Sequence, residues 1–516
     1  MEKLRAQQTT QHFKGKHIWL FIGLLITFLA TRLTNLRLWP IFTDEAIYTR
    51  WSQIALHDAS LRFISLTDGK QPLWHWFTMA AMKVVTDPLI AGRIVSVAAG
   101  LGAAIGIWFL SMELFKNRKV AYLSVSLYIL TPFTLFYDRI ALVESMLSMW
   151  GIWTLFLGIK TAKSLKTDNA MFTGFALGAG LLTKSPASFF QYLYPLNLLF
   201  VERGKRKIGR WLLLTILTMA IAEGMRNIMR LSPWMHMIGR KNLEFITTFG
   251  AFFGHPTQWF WGNLPSLWRW WVGWLTWPIM TTAIAGFCLT LLPETHPLSL
   301  RKHAKGLIFL FIQAVVPFLV AAAFGKVIFA RYLLFVTPPL LITASLTADR
   351  VLVAVKRIES KVAFILFLSI AAVVLDIKIL TDPVNAPIIQ ADRDQYVDGF
   401  PAGWGIDEVI TILKKEARTQ KIFLGTQGTF GLMPASFELY LWDNPNIEIH
   451  GYWPVAEIPE EVVEKASEKT TYFIYYESNP EQIPPQENIE LIKKFQKGHS
   501  NRFMYLFKVY PLPKAK

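Results

Sequence analysis

The chain of 516 residues holds a single cysteine, Cys288, and charge is sparse: 17% of residues are Asp, Glu, Lys or Arg. One cysteine excludes intrachain disulfides and thiolate-rich metal sites, and says nothing firm about redox compartment. Acid is the scarcer sign, with 36 Asp and Glu against 53 Lys and Arg, a formal net charge of +17. Such an excess can serve nucleic acid. Here the cations fall in short clusters between apolar runs, which is topology information, so nucleic acid is not an expected partner. No internal repeat or low-complexity tract stands out. What remains is apolar: 53% hydrophobic residues, 14% aromatic, 20 of them Trp. That balance points to a polytopic α-helical membrane protein.

A span needs roughly 20 mostly apolar residues. About eleven segments qualify on that measure, near 17–36, 88–115, 120–137, 141–159, 170–183, 186–201, 211–229, 266–292, 306–324, 331–348 and 361–380. The first follows Lys3, Arg5, Lys14 and Lys16 and resembles a signal peptide, but no small-residue cleavage site follows, so it reads as an uncleaved membrane helix. The stretch 72–86, "PLWHWFTMAAMKVVT", is short and aromatic at one end, and reads as a helix lying on the membrane surface.

The basic clusters are the N-terminus, "KNRK" (116–119), "KTAKSLK" (160–166), "ERGKRKIGR" (202–210), "RKHAK" (301–305) and "KRIESK" (356–361). With the N-terminus inside and that set of spans, every cluster falls on the cytoplasmic side. The opposite, extracytoplasmic face collects the 37–87 loop, "YDRIALVE" (137–144), "TKSP" (183–186), the 230–265 loop, "GKVIFAR" (325–331) and everything after about 381. The expected localisation is therefore the cell membrane. The Trp-rich run "WFWGNLPSLWRWWVGWLTWP" reads first as an interfacial belt. Residues 381–516 change character: "KIFLGT", "TYFIYY" and "FMYLFKV" read as strands, "GIDEVITILKKEA" and "IPEEVVEKASE" as amphipathic helices. The expected division is a membrane domain, 1–380, and a soluble α/β domain, 381–516.

Chemistry is carried by charges that the apolar context isolates. Asp44 and Glu45, in "IFTDEAIYTR", follow the first span; one of them beside the bilayer is a candidate general base. Lys70, in "DGKQPLWHW", would sit at headgroup level and either snorkel or hold a phosphate. Asp138, Arg139 and Glu144 mark the turn between two short spans, with Glu144 deepest. Lys184, Lys326 and Arg331 join Lys70 and Arg139 on the outer face, against the usual bias. Binding an anionic substrate is a sufficient reason, since phosphate offers charge and several acceptor oxygens. "GTQGTFG" (425–431) reads as a plain turn before an anion cradle. His236, His255 and Asp68 are weak candidates for a divalent metal, without recognisable ligand spacing.

In order along the chain, "TDEAIY", "DGKQPLWHW", "GRIVSVAAG", "YDRIALVESML", "GLLTKSP" and "KVIFARYLLFVTPPL" resemble the GT-C superfamily of membrane glycosyltransferases, closest to protein O-mannosyltransferases and lipid A aminoarabinose transferases, over roughly 17–350. The resemblance implies transfer of a sugar from a polyprenyl-phosphate carrier to a protein, lipid or glycan acceptor outside the membrane. It implies Asp44 as catalytic base with Glu45 and Tyr48 beside it, Lys70 on the carrier phosphate, and Arg139 paired with Glu144. "KQP" stands where relatives have "KPP" or "EKP", so the resemblance leaves open the divalent metal found in some relatives. A phosphate leaving group needs cations more than a proton donor, and one base with several Lys and Arg is the inventory on this face. The competing reading is a transporter or flippase of an anionic lipid-linked sugar, whose key charges would lie mid-span; here they cluster at span ends.

Overall fold

The structure, a computed structural model, describes residues 2–476 and 488–512, with 2–17 as backbone only. The side chains of Lys3, Arg5, Lys14 and Lys16 thus lie outside the described residues. Helix α1 (Glu2–Leu33) leads to strand β1 (Ile41–Phe42), α2 (Thr43–His57) and α3 (Leu73–Ala81). Next come α4 (Pro88–Phe115), α5 (Arg118–Leu130), α6 (Pro132–Tyr137), α7 (Glu144–Ser164), α8 (Thr167–Thr183), α9 (Ser188–Tyr192) and α10 (Lys205–Arg226). The long connection carries α11 (His236–Phe245) and α12 (Phe249–Gly254). It is followed by α13 (Phe260–Leu275), α14 (Trp277–Cys288), α15 (Ala304–Phe324), α16 (Thr337–Ala354) and α17 (Ile358–Thr381). The mixed region holds α18 (Gln390–Tyr396), β2 (Ala402–Gly403), α19 (Ile406–Glu416), β3 (Ile422–Gln427) and α20 (Leu432–Leu441). It ends with β4 (Ile447–Tyr452), α21 (Glu460–Lys465), β5 (Thr470–Tyr475), β6 (Ile489–Gln496) and β7 (Phe503–Val509).

Most residues of the expected spans are helical, with breaks at Thr131, 141–143, Leu193 and Thr276. Among the described residues, five helices are long and apolar enough to cross a membrane: Pro88–Phe115, Lys205–Leu231, Arg301–Phe324, Ala330–Ala354 and Ile358–Thr381. The pair α13 and α14 passes together but bends by 108°. The bend is at Thr276, whose φ of 66° is unusual for a β-branched residue, and Pro278 follows in the first turn of α14. The other segments are shorter or broken. Helix α3 has nine residues, a rise of about 14 Å, too short to span.

Two compact units result: Met1–Leu36, Ser96–Arg139 and Val143–Thr381 form one; Arg37–Val95, Ile140–Leu142 and Asp382–Lys516 form the other. In the helical unit, Gly174 and Gly178 of α8 let α10 approach closely. A Cβ at Gly178 would stand 2.6 Å from the sulfur of Met225, and one at Gly174 2.9 Å from the Thr218 carbonyl. This small-xxx-small spacing is the usual way apolar helices gain van der Waals contact without a hydrophobic driving force. Trp274 is fully buried and stacks on Phe133 and Phe136, and buried Trp271 donates to Thr337 Oγ1 at 2.9 Å. Trp261 and Trp268 are exposed, so the Trp-rich run is part core and part surface.

In the mixed unit the first long loop and the C-terminal residues are compact together. A five-stranded sheet has the order β4-β3-β5-β7-β6, with β3 parallel to β4 and β5, and β7 antiparallel to β5 and β6. Its core is built on Phe423, Phe473, Tyr475 and Phe507, with Val462 of α21 packed against them. Strand β1 pairs antiparallel with β2, Ile41 opposite Gly403, which ties the segment before α2 to the C-terminal region.

Candidate active site

In the mixed unit the first turn of α2 carries both expected acids, and the two are held differently. Glu45 is fully buried. One oxygen accepts from Arg93 Nε at 2.8 Å and the Ala141 N–H at 2.7 Å; the other accepts from Arg93 Nη2 at 2.8 Å and the Phe42 N–H at 3.0 Å. Arg93, also fully buried, adds a bond to the Trp39 carbonyl. This bidentate pair takes up both carboxylate oxygens and, through Phe42, closes the start of α2. Asp44 is half-buried, one position earlier, where the positive end of the helix dipole favours an anion. Thr43 bonds the Pro401 carbonyl through both its N–H, at 3.0 Å, and its hydroxyl, at 3.2 Å. The backbone entering Asp44 is therefore fixed from two sides.

Tyr48 lies one turn on, buried among Trp51, Trp74 and His75, with ring centroids 5.9, 6.1 and 5.2 Å away. His75 Nδ1 is 3.2 Å from the Tyr48 carbonyl, and its Nε2 has no partner. Burial pushes the imidazole down to about 4, with the Lys70 charge acting in the same direction, so it is neutral at physiological pH. Lys70 is part-exposed, 3.7 Å from Asp68. Helix α20 braces α2: Arg50 pairs with Glu438 at 3.1 Å, and Gln53 donates to the Leu439 carbonyl. The glycine loop before α20 is a turn, with Gly428 and Gly431 at positive φ and the Gly428 N–H donated to the Tyr452 carbonyl at 2.7 Å.

In the helical unit, Glu144 opens α7 and Lys184 follows the end of α8, while Arg331 lies just before α16. Lys184 Nζ is 2.6 Å from Glu144 Oε1, and Arg331 Nε is 3.7 Å from the same oxygen. Glu144 is nearly fully buried and its Oε2 has no partner. Tyr332 lies under Lys184 and Phe329 under Arg331, ring centroids 4.6 and 4.7 Å from the cations. Two cations thus converge on one buried carboxylate among aromatic rings.

The resemblance pairs Arg139 with Glu144; the structure does not. Arg139 donates to the carbonyls of Thr31, Arg32 and Asn35 at 2.8 to 3.0 Å, closing the C-terminal end of α1. Cations suit that end of a helix, where the last carbonyls lack partners. Asp138 is buried against Arg32, 3.5 Å away, and accepts from Tyr128 and Ser145. Lys326 is exposed and donates to the Leu243 carbonyl at 2.8 Å. His255 and His236 are exposed. Among the described residues no group of three or more His, Cys, Asp or Glu could hold a metal. Sequence reasoning missed Arg93 and Arg32, each an arginine inside an apolar run, a signal that marks a buried partner by default.

Residues 69–225, which include Lys70, Glu144 and Lys184, match the family described as dolichyl-phosphate-mannose-protein mannosyltransferase. No curated protein matches the chain. Among solved structures, ArnT from Cupriavidus metallidurans in the apo state aligns over 96% of this chain and 98% of its own, at 12% identity and a TM-score of 0.57. The same protein bound to undecaprenyl phosphate aligns over 97% and 99%, at 13% identity and a TM-score of 0.58. The chain shares the fold of ArnT over nearly its whole length. A further structure, the archaeal oligosaccharyltransferase AglB from Archaeoglobus fulgidus in complex with an inhibitory peptide and a dolichol-phosphate, aligns over 84% of this chain and 65% of that one. Its identity is 12% and its TM-score 0.51. The chain thus combines several helices long and apolar enough to cross a membrane with a small C-terminal sheet.

Proposed function

We propose that the chain transfers a sugar from a polyprenyl-phosphate-linked donor to an acceptor hydroxyl on the extracytoplasmic side, with inversion at the anomeric carbon. The observation that carries this reading is the Glu144–Lys184–Arg331 cluster, in which two cations converge on one oxygen of a buried carboxylate whose other oxygen has no hydrogen-bond partner. The full-length likeness to a protein crystallised with undecaprenyl phosphate supports the same ligand class. Lys184 and Arg331 are assigned to the carrier phosphate, with Glu144 setting their geometry; Lys70 is a further phosphate ligand. Asp44 is assigned as the base that takes the acceptor proton. Glu45 is a positioning residue, holding the start of α2 through Arg93. As the C–O bond to the acceptor forms, the bond to the carrier phosphate breaks, and the departing charge stays on the phosphate oxygens. That charge needs cations rather than a donated proton. Arg139 and Lys326 keep structural roles at helix and loop carbonyls.

The test is a transfer assay with purified protein and a radiolabelled polyprenyl-phosphate sugar. Release of free carrier phosphate with label on the acceptor is the expected result. Asp44→Asn should lower kcat by roughly 100-fold or more. Near-normal turnover by that variant would remove the base assignment, and passage of intact donor across a vesicle would favour a flippase instead.

A further inference from the structure

Helices α7 and α8 each carry one residue of the phosphate cluster at one end, Glu144 at the start of α7 and Lys184 just past α8. At their other ends, about 30 Å away along α7, lies an open surface cavity of about 480 Å³. Its lining is Ser164, Leu165, Lys166, Arg206, Lys207 and Arg210. No acid contributes to that wall. Lys207 pairs with Glu202, outside it. Lys166, Arg206 and Arg210 make no side-chain ion pair or hydrogen bond among the described residues.

The local backbone sharpens the imbalance. Lys166 is the N-cap of α8 and gives no side-chain cap; Gly204 is the N-cap of α10, where φ is 143° and no side chain can cap. The first turn of α10 has no acid and holds Lys205, Arg206 and Lys207. Cations at a helix start oppose the dipole and leave the first N–H groups without a protein acceptor. An anion corrects both faults at once. The surface below is apolar. Ile208, Leu212 and Ile216 form an exposed i, i+4 row on α10, and Phe172 and Phe175 are exposed on α8.

We propose that this cavity binds the phosphate headgroup of an anionic phospholipid, with its acyl chains against the exposed apolar rows of α10 and α8. The ligand is an amphiphile because the charged recess and the apolar strip are continuous on one helix. The site lies at the end of α7 opposite Glu144 and is independent of the transfer reaction.

The experiment counts lipids retained on the purified full-length protein by native mass spectrometry, after equilibration in detergent with phosphatidylglycerol or phosphatidylcholine. Wild type should retain phosphatidylglycerol preferentially. K166Q/R206Q/R210Q should lose that preference, by roughly fivefold per cation removed. R206K/R210K, which keeps the charge, should retain it. The control K116Q/R118Q/K119Q removes three cations from the same end of the bundle, where Lys163 holds Glu113 at 2.7 Å, and should leave binding unchanged. Equal retention in the pocket variant, equal loss in the control, or displacement of the lipid by inorganic phosphate alone would each overturn the proposal.

Discussion

In the helical unit, Glu144 shares one oxygen with two cations and leaves the other without a partner. In the mixed unit, Glu45 has both oxygens filled by one arginine and two backbone N–H groups, and Asp44 stands half-buried beside it. The first arrangement leaves one carboxylate oxygen open. The second is closed at one acid, so that its neighbour is held still. The same residue type is thus held loosely in one place and rigidly in the other. What separates the two roles is the count of donors on each carboxylate.

The comparison breaks most visibly at Arg93. Arg93→Ala leaves a buried carboxylate without its partner and should destabilise the fold by about 3–5 kcal/mol. Thermal unfolding of the detergent-solubilised protein measures it, and a shift no larger than that of a surface variant would mean Glu45 is not the closed acid described above. Next comes pH. His75 is held at about 4 when folded, against 6.5 unfolded. The unfolded chain therefore binds the extra proton first, and stability is full above 6.5 and falls as pH drops toward 4, by about 3 kcal/mol at most. Melting curves at pH 7.5 and 5 should differ for wild type and converge for His75→Gln.

A smaller effect is expected in the receptive cluster. Lys184→Met should raise the donor KM roughly tenfold to hundredfold, the value of one charged hydrogen bond, and, because Arg331 stays on Glu144, should lower the melting temperature by less than Arg93→Ala does. A loss of stability without a KM change would make the cluster merely structural. Smallest is Glu438→Gln, which breaks the part-exposed pair with Arg50 and should cost under about 1 kcal/mol.

How legible each part was in the sequence follows the same physics. Strands β3, β5 and β7 are evident as apolar runs because they are the interior of the sheet. Strands β4 and β6 were not, because they are its two edges, and edges carry charge: Lys493 and Lys494 interrupt β6, Glu448 and His450 interrupt β4. Asp44, Glu144, Lys184 and Arg331 stand out because ionisable groups are rare beside apolar spans. Their partners do not. Glu45 meets Arg93 from 48 residues away, and Arg139 bonds carbonyls, which every residue possesses and no sequence pattern marks. The break at Thr276 is hinted at by Pro278, but the positive φ is a property of the packed chain.

The end of α1 carries a practical meaning for anyone expressing the protein. Arg32 is sealed against Asp138, and Arg139 reaches back to carbonyls 31, 32 and 35. A disposable leader would have no such ties. Trimming the chain at residue 36, or replacing its start with a cleavable secretion sequence, would strand an aspartate in an apolar interior and orphan a guanidinium beside it. Purification handles therefore belong upstream of an intact first helix, and a shortened product should be recovered as aggregate rather than as folded protein.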